Sequence, residues 1–135
     1  QEIILPHAFC TRFLAHEHPT YSLEHFLTYS LRLSPDRIVL GEIRSKEVVS
    51  YLLAMNTGHR GVLTTIHSNS ALEGLHRLQM LFGLYGKGME IGQTMNLICQ
   101  NIDCIIFIEN KQIKEIIKPL GQENGFPFYE TLFQA

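Results

Sequence analysis

Apolar and polar positions alternate along the chain in two rhythms, one of helical period and one of short unbroken runs. In residues 22–33, Leu23, Phe26, Leu27 and Leu31 recur at helical spacing behind Ser22, an N-cap type, and Ser34-Pro35 closes the segment. Arg37 to Glu42 encloses Ile38-Val39-Leu40, a short run with no polar face, which predicts a strand buried on both sides, as in a parallel sheet. Residues 46–57 return to helical spacing through Val48, Val49, Leu52, Leu53 and Met55, with Gly58 placed to cap the C-terminus. Gly61 to Ile66 predicts a second strand. Ser70-Ala71-Leu72-Glu73 reads as a capping box that opens a helix carrying Leu75, Leu78, Met80 and Leu81.

After a glycine-rich break at 83–88, residues 89–102 predict a further helix, with Met89, Ile91, Met95 and Ile98 as its core stripe. Asp103 to Glu109 and Gln112 to Lys118 predict strands paired about a short Asn110-Lys111 turn. The tail, with Gly121, Gly125 and Pro127, reads as loop and then a last short strand ending near Phe133. Residues 1–21 predict one or two short extended pieces joined by polar loops. Strand and helix in alternation predict an α/β fold with a mainly parallel sheet and an antiparallel hairpin at its edge.

The chain has 135 residues, the size of one compact domain, and 45% hydrophobic against 18% charged residues suits a globular core. A net charge of -2 leaves no basic surplus to neutralise a phosphate backbone, so nucleic-acid binding is not expected as the main task. Cys10, Cys99 and Cys104 are odd in number and contain no C-x-x-C, which fits reduced thiols in a cytosolic protein. No apolar run approaches the ~20 residues that span a bilayer. The first residue is Gln1, followed at once by Ile3-Ile4-Leu5, which reads as a piece of something longer.

Two stretches carry candidate chemistry. In the first, Glu42 follows Ile38-Val39-Leu40-Gly41, where ligands bind in parallel α/β sheets. A carboxylate there can orient an attacking water and help hold magnesium through water. The alternative is a glutamate that caps a strand-to-helix turn. In the second, His67 follows its own strand as Glu42 does, within Thr64-Thr65-Ile66-His67-Ser68-Asn69-Ser70. Neighbouring parallel strands would bring both residues to one sheet edge, where an imidazole can donate to a terminal phosphate oxygen. For His59, a surface-turn histidine stands beside the functional reading.

The string L-R-x-x-P-D-x-x-x-x-G-E-x-R from Leu31 to Arg44, followed by T-G-H-x-G-x-x-T-T-x-H-x-N-S from Thr57 to Ser70, resembles the secretion "traffic" ATPases. It is most similar to the VirB-type ATPases of type IV secretion, with type II secretion and type IV pilus relatives. The resemblance implies an incomplete RecA-like P-loop NTPase fold, with residues 1–135 as the C-terminal part of the ATPase domain. It implies that Gly41-Glu42 matches the Walker B motif and that Gly58-His59 to His67 matches the histidine box. By the same match, His67 reaches toward the γ-phosphate, and Arg32 contacts nucleotide phosphates of a neighbouring subunit. Arg12 matches a second such arginine, and Gln1-Glu2 the end of an acidic box, so Glu2, Arg12, Arg32 and His59 join Glu42 and His67 as candidate site residues. Arg44 belongs to the motif and is expected in a salt bridge.

The implied cofactors are ATP and magnesium. The implied partners are further copies in a hexameric ring and secretion-channel proteins, on the cytoplasmic side of the inner membrane. The family's G-x-x-x-x-G-K-[ST] loop and N-terminal domain do not occur in these residues, so the piece alone is expected to be inactive. A non-catalytic interaction module and a fragment of a RecA-like DNA motor are the alternatives. Gly83-x-x-Gly86-Lys87-Gly88 has the wrong spacing for a phosphate loop and reads as a helix-to-helix loop. His16-Glu17-His18 and His7-x-x-Cys10 lack the ligand count of a metal site.

Overall fold

The computed structural model describes residues 10–15, 21–59 and 61–135. Helix α1 spans Leu23–Leu31, strand β1 Ile38–Val39, α2 Glu47–Asn56, β2 Val62–Leu63, α3 Ala71–Tyr85 and α4 Ile91–Asn101. Strands β3 (Ile105–Glu109), β4 (Gln112–Glu123) and β5 (Phe126–Gln134) complete the order. The fold is mixed α/β.

The helix boundaries follow local chemistry. Ser22 Oγ accepts the His25 amide at 3.2 Å, and Ser70 Oγ accepts the Glu73 amide at 3.1 Å, each satisfying an orphan donor of a first turn. The return arm of the expected box is displaced: Glu73 Oε2 takes the amide and the Nδ2 of Asn69, not the amide of Ser70. Gly58, at φ 91°, ends α2 in the left-handed region that glycine tolerates. Helix α3 runs through Gly83 and stops only at Tyr85, so the glycine-rich break begins later than its first glycine suggests.

Helix α2 packs on α1, α3 and α4, and α3 and α4 also pack on the β3–β4–β5 sheet. Ile43, Val48, Leu52, Leu75, Met95, Ile98 and Ile117 are fully buried where these elements meet. Each such side chain contributes about 1.5–3 kcal/mol by leaving water.

The expectation of a mainly parallel sheet is corrected. Among the described residues the parallel part is β1 with β2, in register Ile38↔Val62 and Val39↔Leu63. The antiparallel part is a separate three-stranded sheet, not an edge hairpin. Two turns make it three-stranded. Asn110-Lys111 (φ 51° and 61°) and Asn124-Gly125 (φ 53° and 85°) place both central residues at positive φ, the geometry that two-residue hairpins require. The region expected as loop beyond Lys118 is therefore strand up to Glu123. Pro119 is accommodated at a register shift between Pro119 and Gly121.

A second expectation is also corrected. The β1–β2 pair is buried on one face: Ile38 and Leu40 face the core, while Val39 and Leu63 stay exposed.

Candidate functional site

The site forms where β1 and β2 end. Alternation along β1 turns Ile38 inward, Val39 outward and Leu40 inward, which would send residue 42 into the core. The backbone avoids this. Leu40 N donates to Leu63 O at 2.9 Å, and the next bond runs from Ile43 N to Thr65 O at 2.9 Å, so β1 advances three residues while β2 advances two. That extra residue is a bulge. It delivers Ile43 to the core, where it is fully buried, and leaves Glu42 at the rim with its side chain 21% exposed. Thr65 Oγ1 closes the arrangement by donating to Gly41 O at 2.8 Å.

At this rim Glu42 Oε1 lies 3.2 Å from His67 Nε2, and Glu42 Oε2 lies 2.6 Å from Arg44 Nη2. The two polar turns that follow β1 and β2 therefore meet, and Arg44 makes the expected salt bridge. His67 is 81% exposed, so its ring faces solvent on the side away from Glu42. The Arg44 hydrogen bond holds the Glu42 carboxyl below the usual carboxylate range. Partial burial opposes it, and the charges of Arg44, His67 and Arg77 add to it. Glu42 is thus an ionised acceptor at neutral pH.

Three supporting residues were not legible as such in the sequence. Glu47, 5% exposed, accepts from the amides of Arg44 and Ser45 and from Ser45 Oγ, which fixes the backbone that carries Arg44. An acidic residue in a first helical turn was the only signal, and that is common on any helix. Arg77 on α3 has a buried Nε with no hydrogen-bond partner among the described residues, and its charge acts on Glu42. Glu115 on β4 accepts from the Ala71 amide at the start of α3 at 3.0 Å, across 44 positions of sequence that no local pattern spans.

The other candidate residues lie elsewhere. His59 precedes β2 and Arg32 caps α1 ahead of β1, whereas Glu42 and His67 follow those strands. His59 Nδ1 is 3.3 Å from Thr57 Oγ1. Arg12 is exposed in the irregular segment 10–15. Glu2 lies outside the described residues, as do His7, His16 and His18 of the discounted metal patterns.

Among the described residues no group of three or more His, Cys, Asp or Glu could ligate a metal directly. One carboxylate between a guanidinium and an imidazole suits a hydrated magnesium brought by phosphates better than a protein-only cage. No helix among the described residues is long and apolar enough to cross a membrane.

The model of the family described as "Type II/IV secretion system protein" matches residues 2–125. The chain is 36% identical over 122 residues to the conjugal transfer protein TrbB of Rhizobium radiobacter, covering 86% of this chain and 35% of that protein. It is 36% identical over 111 residues to a probable conjugal transfer protein TrbB of Sinorhizobium fredii, covering 78% of this chain and 33% of that one. It is 33% identical over 111 residues to the protein VirB11 of Rhizobium radiobacter, covering 78% and 32%. The chain thus spans about a third of the length of the curated relatives it matches. With nearly its whole length matched and both motifs meeting at one rim, the chain belongs to the type II/IV secretion system protein family.

Proposed function

We propose that this chain supplies the catalytic carboxylate and the phosphate-reading histidine of a secretion ATPase, completed in the intact protein by a phosphate-binding loop outside these residues. The observation that carries the reading is the 3.2 Å contact between Glu42 Oε1 and His67 Nε2, at the strand ends where ligands bind in parallel α/β sheets.

The chemistry follows from the donors and acceptors at the rim. Glu42, held ionised by Arg44, can only accept, so it orients an attacking water and takes its proton. His67 with its proton on Nε2 donates to Glu42 Oε1. When a terminal phosphate oxygen takes that donor instead, Oε1 is freed for the water. The histidine then reports the phosphate, and the carboxylate acts only when it is present. A magnesium ion arriving with the nucleotide supplies charge neutralisation at the phosphates.

In this reading Arg32 and His59, which precede β1 and β2, act outside their own rim. In a ring of copies, a hexamer in this reading, they would face the nucleotide of a neighbour. The assembly would work at the cytoplasmic face of the inner membrane against secretion-channel proteins, coupling hydrolysis to export. These 135 residues contain no G-x-x-x-x-G-K-[ST] loop, so the isolated chain neither binds ATP tightly nor hydrolyses it.

The test is Glu42→Gln in the intact protein. The amide is nearly isosteric and a poor base, so nucleotide affinity is retained while turnover falls by about 10²–10⁴. Normal hydrolysis by this variant would remove the assignment.

A further inference from the structure

The turn that carries His67 runs straight into α3, and its position depends on how that helix begins. Ser68 Oγ donates to Ser70 O at 2.9 Å, Ser70 Oγ accepts the Glu73 amide, and Glu73 accepts from Asn69. The Ala71 amide, the first donor of the helix, takes no part in this local set. It is satisfied by Glu115 Oε2 at 3.0 Å. Glu115 lies on β4, the central strand of the antiparallel sheet, paired with Phe107 on one side and Gln134 on the other. It shares a strand face with Ile117 and Pro119, both buried. A carboxylate on the core-facing side of a sheet is costly unless it is hydrogen-bonded. Here the cost is offset by a charge-assisted bond to the positive end of a fifteen-residue helix.

We propose that Glu115 is a positioning residue for His67: by gripping the Ala71 amide it fixes the start of α3, and with it the 67–70 turn, against the C-terminal sheet. The sheet and the rim then form one mechanical unit. A displacement of β4 reaches the 67–70 turn that carries His67 through one hydrogen bond. The kinetic part of this inference rests on the reading of His67 given above; the structural part does not.

The experiment uses the intact protein with Glu115→Met, which keeps length and apolar packing but has no strong acceptor, and Glu115→Gln, which keeps an acceptor oxygen. In Glu115→Met, hydrogen exchange over residues 67–75 rises by about tenfold, and kcat falls by about tenfold with KM within about twofold. Glu115→Gln stays within about threefold of the parent in both. In a His67→Ala background, Glu115→Met lowers kcat by less than about twofold, because the residue it positions is gone. Unchanged exchange in Glu115→Met, an equal loss of kcat with and without His67, or a Gln variant as impaired as Met would each overturn the proposal. If His67→Ala leaves turnover unaltered, the functional reading has failed, and the exchange measurement alone decides whether Glu115 holds the turn.

Discussion

Arg44 Nη2 stands 2.6 Å from Glu42 Oε2, two residues along the chain, and this ion pair lowers the pKa of Glu42. Its effect is electrostatic and directional. A guanidinium cannot lose its charge in the working pH range, so Glu42 stays ionised below the pH at which an ordinary carboxylate would protonate.

The first prediction concerns pH. Activity that depends on ionised Glu42 is present above its folded-state pKa and lost as pH falls through it. Because that pKa lies below the ordinary carboxylate value, the acid limb of the kcat profile of the intact protein also lies below it. Arg44→Gln removes the leading cause of the lowering, so the limb moves up toward the ordinary range. The check is a pH–rate profile of parent and variant; superimposable acid limbs would mean that Glu42 is not the group seen.

The two histidines separate kinetically. His67 touches Glu42, whereas His59 precedes β2. His67→Ala in the intact protein lowers kcat by about 10–10²-fold with little change in nucleotide affinity, as expected for a donor used mainly during reaction. In the proposed ring, mixing His59→Ala with Glu42→Gln subunits restores part of the turnover that each variant loses alone; no recovery would remove the assignment of His59 to a neighbour's rim. Equal loss of kcat and affinity in His67→Ala would point to a structural histidine.

Glu47 predicts a stability effect. Burial pushes its carboxyl upward, but hydrogen bonds from the amides of Arg44, Ser45 and Glu47 and from Ser45 Oγ together win, so its pKa is lowered. A lowered carboxylate stabilises the fold above its ordinary pKa, and that contribution fades as pH falls through the folded value. Glu47→Ala strands those donors and costs about 1–3 kcal/mol at neutral pH, with a smaller difference from the parent in acid. Denaturant melts at pH 7 and near pH 3 measure both figures.

Gly61 predicts a backbone effect. It sits at φ 70°, where an L side chain is strained; a Cβ would also meet the end of the Arg37 side chain, which can swing aside. Gly61→Ala therefore destabilises the start of β2 by about 1–2 kcal/mol, read as a lowered thermal midpoint.

Local pattern determined much of this protein. Ser22, Ser70 and Gly58 mark helix ends because capping is satisfied by side chains within one turn. Asn110-Lys111 marks a hairpin, because a pair of residues at positive φ reverses the chain alone. The order Ile38-Val39-Leu40-Gly41-Glu42, then Thr64-Thr65-Ile66-His67, was enough to expect the acid and the imidazole at one edge, since parallel neighbours end on the same side. Tertiary structure decided the rest. Whether Glu42 faced the core or the rim turned on a single extra residue between two interstrand hydrogen bonds, which no periodicity displays. The third strand of the antiparallel sheet depended on the second hairpin at Asn124-Gly125, and the hydrogen bond from Ala71 to Glu115 joined positions 44 residues apart. Contacts of that kind arise only when packed elements bring distant groups within hydrogen-bonding range, so their partners cannot be read from the residues beside them.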